Sequence, residues 1–133
     1  MISPLNVVPQ KNEKNRLILD LREVNDDVVM TRLKFERLQD VEFVGVYGDV
    51  MVGTDFTNGY WQVPMHPDAF EYLGFAWEGQ YVVFCVLPFG LATAPWCFAK
   101  VMKALSGHVR SVLSAQMQNY LDDYAIFLVV YCT

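Results

Sequence analysis

Tyr120-Leu121-Asp122-Asp123 runs directly into Tyr124-Ala125-Ile126-Phe127-Leu128-Val129-Val130-Tyr131. Two adjacent carboxylates thus stand at the mouth of a long apolar run, and such a run reads as a buried strand. A carboxylate at its mouth loses hydration, which costs free energy unless a positive partner offsets it. A divalent cation is one such partner. A solvated hairpin turn is the alternative, because Asp is a common turn residue. The tetrapeptide alone leaves both readings open.

Working back from this stretch, Val50-Met51-Val52-Gly53-Thr54-Asp55 reads as a second buried strand that also ends on a carboxylate. Asp122 follows Asp55 by 67 residues. If the two strands are neighbours, Asp55, Asp122 and Asp123 converge at one sheet edge. Three uncompensated carboxylates would repel one another. Divalent metal resolves the conflict, since Mg²⁺ takes one or two carboxylates and leaves room for phosphate oxygens. Three unrelated surface acids remain the plain alternative at this point.

The other elements follow from turn chemistry and periodicity. Leu5 to Pro9 and Leu17 to Leu21 flank the polar tip Gln10–Asn15 and read as a hairpin. Phe35, Leu38 and Val41 suggest a helical face. Thr57-Asn58-Gly59 is a turn or a short helical entry, and Pro67 to Tyr72 a short helix with Pro near its start. Leu73 to Trp77 and Gln80 to Leu87 read as strands around the turn signal Glu78-Gly79. From Thr93 onward, Ala94, Phe98, Val101, Met102, Leu105, Val109, Val112 and Leu113 fall at helical spacing, as core packing does. Asn119 to Phe127 forms a last hairpin. The fold class is α+β, with helices on one face of an antiparallel sheet.

Composition narrows the function classes. A hydrophobic share of 53% supports a core and excludes a disordered tail. Cys85, Cys97 and Cys132 form neither a CxxC nor an even set, so they read as reduced core residues of an intracellular protein. Cytoplasm and nucleus both stay open. His66 and His108 lack zinc-ligand spacing. Tyr81 to Ala99 carries no charge, but Pro88, Gly90 and Pro95 break a spanning helix, so no membrane partner is expected. The net charge of −5 argues mildly against a stand-alone nucleic-acid binder. Its distribution is more telling: Leu38 to Ala99 holds seven acids and no Lys or Arg. Basic segments flank this acidic middle, with Lys11, Lys14, Arg16 and Arg22 on one side and Lys100, Lys103 and Arg110 on the other. That pattern suits a metal-centred site with phosphate contacts around it, and it suits ordinary solvated charge as well.

Four stretches carry a resemblance. Asp55-Phe56-Thr57-Asn58-Gly59-Tyr60-Trp61-Gln62-Val63-Pro64-Met65-His66-Pro67 resembles motif A of reverse transcriptases. Leu87-Pro88-Phe89-Gly90-Leu91-Ala92-Thr93-Ala94-Pro95, with Phe98, resembles motif B, and Tyr120-Leu121-Asp122-Asp123 the YxDD of motif C. Ser3-Pro4-Leu5 through Arg16, Asp20, Leu21, Arg22 and Asn25 resembles the fingers hairpin. The motifs stand in the family's order across nearly the whole chain. Gly48-Asp49, Tyr72-Leu73-Gly74-Phe75 and Trp77-Glu78-Gly79 are most similar to retrotransposon enzymes of the DIRS type.

The resemblance implies a polymerase palm plus part of the fingers. Residues 1–133 would be one partial domain, with about 1–48 a fingers-like hairpin and connection and about 49–133 the palm. It implies an RNA-directed DNA polymerase core that joins a dNTP to a primer 3′-hydroxyl on an RNA or DNA template. Asp55, Asp122 and Asp123 would be catalytic and would hold two Mg²⁺, with Mn²⁺ able to serve. Lys11 and Arg16 would contact the triphosphate. Tyr60 would exclude a ribose 2′-hydroxyl, and Phe89 and Gly90 would line the nucleotide pocket. Without the family, Tyr60 reads as a packed aromatic and Pro88-Phe89-Gly90 as a turn.

The chain also departs from the pattern. Gln10-Lys11 stands where many relatives carry Lys-Lys. After motif C, the lysine-bearing motif D, primer grip, thumb and ribonuclease H do not follow within the 133 residues. A thumb or ribonuclease H supplied elsewhere is one expectation. A truncated, non-catalytic remnant is the alternative. A third reading is an unrelated α+β binding module with structural acids, which makes the ordered motifs coincidence. The sequence does not address oligomeric state.

Overall fold

The computed structural model describes residues 1–10, 14–32, 45–113, 116–121 and 123–128. The chain divides into two compact units, one of Met1–Thr31 with Asn58–Ala94 and one of Arg32–Thr57 with Pro95–Thr133.

In the first unit, β1 (Leu5–Pro9) and β2 (Asn15–Leu19) form the expected hairpin, in register from Leu5 opposite Leu19 to Pro9 opposite Asn15. Gln10 N–H donates to the Lys14 carbonyl at 2.8 Å and closes the ladder toward the tip. A short helix, α1 (Arg22–Asp27), follows at once. Gly59–Gln62 and Pro67–Tyr72 are 3-10 turns, the second with Pro at its start as the sequence suggests. Strands β4 (Gly74–Trp77) and β5 (Gln80–Val83) pair around Glu78 and Gly79, whose φ values of 49° and 75° are those of a primed two-residue turn. The second arm stops at Val83 rather than reaching Leu87, and Val86 makes an isolated bridge to Pro64. Pro64 has no N–H to extend a ladder. Leu19, Leu21, Leu73 and Leu87 are fully buried and form the unit's core.

The loop Leu87–Leu91 is seated against the hairpin. Leu19 N–H donates to the Phe89 carbonyl at 2.9 Å. Gly90 adopts φ 111°, and a Cβ there would overlap the Leu19 carbonyl oxygen. Only glycine combines that backbone with so close an approach.

In the second unit, β3 (Val50–Asp55), β6 (Gln116–Tyr120) and β7 (Asp123–Leu128) form an antiparallel sheet in the order β3-β7-β6. The long helix α2 (Ala94–Leu113) is tied to β6. Ser106 Oγ–H lies 2.9 Å from the Met102 carbonyl and 3.3 Å from Asn119 Oδ1. Arg110 donates to the Met117 carbonyl from Nη2 at 2.6 Å and from Nε at 3.2 Å. Its charge lies in the last turn, where the helix dipole favours a cation.

The chain therefore has an α+β fold with antiparallel sheets, which among the described residues are three small sheets rather than one. The α2 stripe is also narrower than its spacing suggests. Phe98, Met102 and Ser106 are buried, whereas Val101, Leu105, Val112 and Leu113 are exposed. Helical spacing shows which residues share a side, not how much of that side a partner covers. Strand β3 forms as expected but is not buried. All six of its residues are exposed, including Val50 at 48%, Met51 at 62% and Val52 at 43%. It is an edge strand, and apolar composition selects extended backbone without supplying a cover. Cys85 is exposed and Cys97 half-buried, so the expectation of core cysteines fails at Cys85. Phe35, Leu38 and Val41 lie outside the described residues, as does Cys132. Among the described residues no helix is long and apolar enough to cross a membrane.

Replacing Gly90 with Ala is expected to cost about 2 kcal/mol or more, because both the φ and the Leu19 contact oppose a Cβ. Urea unfolding of wild type and Gly90→Ala measures it. An unchanged midpoint would contradict the packing described.

Candidate active site

Antiparallel pairing of β3 with β7 places Asp55 directly opposite Asp123. The β6–β7 register puts Tyr120 opposite Asp123 on the other side. Directly opposed residues project to the same face, with Cβ atoms ~4.5–5.5 Å apart. Asp55, Asp123 and Tyr120 therefore share one face at one end of the sheet. Asp55 and Asp123 are both exposed. Two like charges so placed repel.

The connection from Tyr120 to Asp123 is a two-residue turn in which Leu121 has φ 54°. A bulky residue in the left-handed region costs about 1 kcal/mol or more and is concentrated at functional sites. Asp122 lies outside the described residues. Among the described residues no group of three His, Cys, Asp or Glu side chains is arranged to hold a metal. The donors that are described still fit a hard cation. They are two exposed carboxylates on one face, with open positions beside them, as Mg²⁺ prefers. Behind them, Phe56 packs edge-on against Tyr124, with centroids 5.5 Å apart at 65°. Tyr124, the second residue of β7, is buried.

A second group of predicted residues comes together within the first unit. Tyr60 stacks on Phe89 with centroids 4.8 Å apart and planes 21° apart. The Arg16 guanidinium lies 4.6 Å from the centre of the same ring, a cation–π contact. Trp61 meets Phe89 edge-on at 6.5 Å. With its side-chain amide oxygen turned toward the guanidinium, Gln10 accepts from Arg16 Nη2 at 2.6 Å and Nε at 2.9 Å. Gln10 is thus occupied in orienting Arg16. A neutral acceptor does this without cancelling the charge that a phosphate would meet. Lys11 lies outside the described residues.

Asn25 of α1 reaches the same loop. Its Nδ2 donates to the Gly90 carbonyl at 2.9 Å, and its Oδ1 accepts from Ala92 N–H at 2.8 Å. Sequence reasoning left Asn25 without a role, because nothing local signals a partner 65 residues away. Nearby, Arg22 Nη2 and Nε bind the Asp20 carboxylate at 2.6 and 2.9 Å. These hydrogen bonds hold the Asp20 carboxyl below its ordinary range. Because the folded value is the lower one, the pair's contribution is complete above the ordinary Asp range. It is lost as pH falls through the depressed value. Arg22 is 87% exposed, so solvent keeps the effect small.

The fold and these residues define a mixed α/β protein with antiparallel sheets, of the kind found in solved reverse transcriptases. A sequence model described as "Reverse transcriptase (RNA-dependent DNA polymerase)" matches residues 8–129, and the chain belongs to that family. It is 28% identical over 126 residues to the Pro-Pol polyprotein of Simian foamy virus type 1, covering 95% of this chain and 10% of that protein. To the Pol polyprotein from transposon 297 of Drosophila melanogaster it is 27% identical over 132 residues, covering 94% and 12%. Among solved structures, it is similar to a foamy viral protease-reverse transcriptase in complex with double-stranded DNA, with TM-score 0.80 and 25% identity over 98% of this chain and 22% of the other. The native prototype foamy virus protease-reverse transcriptase gives TM-score 0.73 and 26% identity, over 99% and 17%. The chain thus spans about a tenth of the curated relatives it matches. The narrower likeness to DIRS-type elements rests on short sequence details alone.

Relieving the carboxylate repulsion should stabilise the metal-free chain. In EDTA, Asp55→Asn or Asp123→Asn is expected to melt about 1–4 °C higher than wild type. In Mg²⁺ the order should narrow or reverse. Melting curves of the three proteins in both buffers check this, and a lower melting point for both variants in EDTA would contradict it.

Proposed function

We propose that the chain is the core of an RNA-directed DNA polymerase from a retrotransposon-like element, extending a primer 3′-hydroxyl with a dNTP on a nucleic-acid template. The observation that carries this reading is Asp55 set opposite Asp123 at the end of the β3–β7 ladder, with Asp122 next to Asp123 in the sequence. Family membership and solved relatives in complex with double-stranded DNA support a nucleic-acid partner.

In this reading Asp55, Asp122 and Asp123 hold two divalent ions. When bound, the ions activate the attacking hydroxyl and neutralise charge on the leaving oxygens. The carboxylates position, and the rigid β3–β7 ladder keeps Asp55 and Asp123 in register before substrate arrives. Arg16, already oriented by Gln10, presents a guanidinium to the triphosphate. Tyr60, stacked on Phe89, would stand against the sugar 2′ position and exclude a ribose hydroxyl. Residues 1–48 then serve as the fingers side and 49–133 as the palm.

A second reading, a non-catalytic remnant, draws on the uncovered apolar strand β3. Primer extension on poly-rA/oligo-dT separates the two. Extension that requires Mg²⁺, stops in EDTA and falls to background in Asp122→Asn is the expected result. No extension from demonstrably folded wild type would favour the remnant. Retained extension in Asp122→Asn would remove the carboxylate assignment.

A further inference from the structure

We propose that Asn25 is a positioning residue for nucleotide selection, acting through the Phe89–Ala92 segment rather than touching the nucleotide itself. This rests on the polymerase reading above. The observation is the two-point contact of one side-chain amide. Asn25 Nδ2 donates to the Gly90 carbonyl at 2.9 Å and Oδ1 accepts from Ala92 N–H at 2.8 Å. The amide engages the segment as a neighbouring strand would, using one donor and one acceptor together.

Asn and Gln carry both polarities on one planar amide, and Asn is the shorter. An Asp at this position keeps the bond from Ala92 N–H but turns a second acceptor toward the Gly90 carbonyl. Ala leaves both backbone groups without these partners. The Ala92 bond is partly buried, so its loss is not fully made good by water.

The clamp matters because of what lies one residue before it. Phe89 is the ring against which Tyr60 stacks and over which Arg16 lies. Its own carbonyl is held by Leu19 N–H at 2.9 Å. The Phe89 backbone is therefore fixed from β2, and the two peptide groups that follow are fixed from α1. Gly90, at φ 111°, lies between these restraints and has no side chain to limit its rotation. Without Asn25 the restraint from β2 remains, but the Gly90 and Ala92 peptide groups lose their tie to α1. The Phe89 ring then loses its fixed height under Tyr60. A sterically selective contact is lost by displacements of about an ångström, so the sugar-selecting arrangement suffers before the fold does.

Nucleotide binding by the purified chain on poly-rA/oligo-dT tests the role, with Ca²⁺ in place of Mg²⁺ to hold the complex before turnover. Titrations of dTTP and of UTP are compared for wild type, Asn25→Ala and Asn25→Asp, each with a melting curve. Asn25→Asp keeps the test open if Asn25→Ala does not fold. The expected result is that wild type prefers dTTP. The variants should bind dTTP about tenfold more weakly and lose most of the preference over UTP, while melting cooperatively. Equal weakening of both nucleotides, or an unchanged preference with a lowered melting point, would overturn the positioning role and leave Asn25 as a fold contact. Wild type that binds neither nucleotide would overturn the polymerase reading, and this role with it.

Discussion

The pairing of β3 with β7 places Asp55 opposite Asp123, and the rest of the second unit serves that juxtaposition. A sheet register is a strong constraint, because a slip of one residue would send every side chain to the other face. Here the register is held from both sides. Strand β7 lies between β3 and β6, with Tyr124 and Phe127 buried. Strand β6 is in turn fixed to α2 by Ser106 and Arg110. Two carboxylates are thereby kept together against their own repulsion. That arrangement is unfavourable for an empty sheet and favourable for one that binds cations.

The first unit is organised around a ring rather than a charge. Phe89 receives Tyr60, Trp61 and Arg16, and its loop is fastened by Leu19 and Asn25. Arg16 is held by a stack and a neutral amide, so its charge is oriented but not consumed. The departure at Gln10 from a paired-lysine pattern thus has a structural counterpart. Gln10 supplies an acceptor for the chain's own arginine.

Much of this was legible in the sequence because it is local. The Leu5–Leu21 hairpin, the Glu78-Gly79 turn, helix α2 and the YLDD hairpin each follow from short-range turn chemistry or periodicity. The convergence of Asp55 with Asp123 was legible only conditionally, on the strands being neighbours, and the ladder meets that condition. What the sequence does not encode locally is cover and long-range polar pairing. Strand β3 is apolar and yet exposed, and α2 buries Ser106 while exposing Leu105. Asn25 looks like any helix residue until its partners at Gly90 and Ala92 are seen. Residues Lys11 and Asp122 lie outside the described residues, so their assigned roles rest on the resemblance.

The most direct test is where a divalent cation binds. Mn²⁺ titrated into the isotopically labelled chain broadens the amide signals of residues near the ion. The account predicts broadening first at Asp55, Tyr120, Leu121 and Asp123, reversed by excess Mg²⁺ and absent in Asp55→Asn. Broadening spread over the acidic surface at large, or unchanged in Asp55→Asn, would contradict the claim that the β3–β7 register builds a metal site.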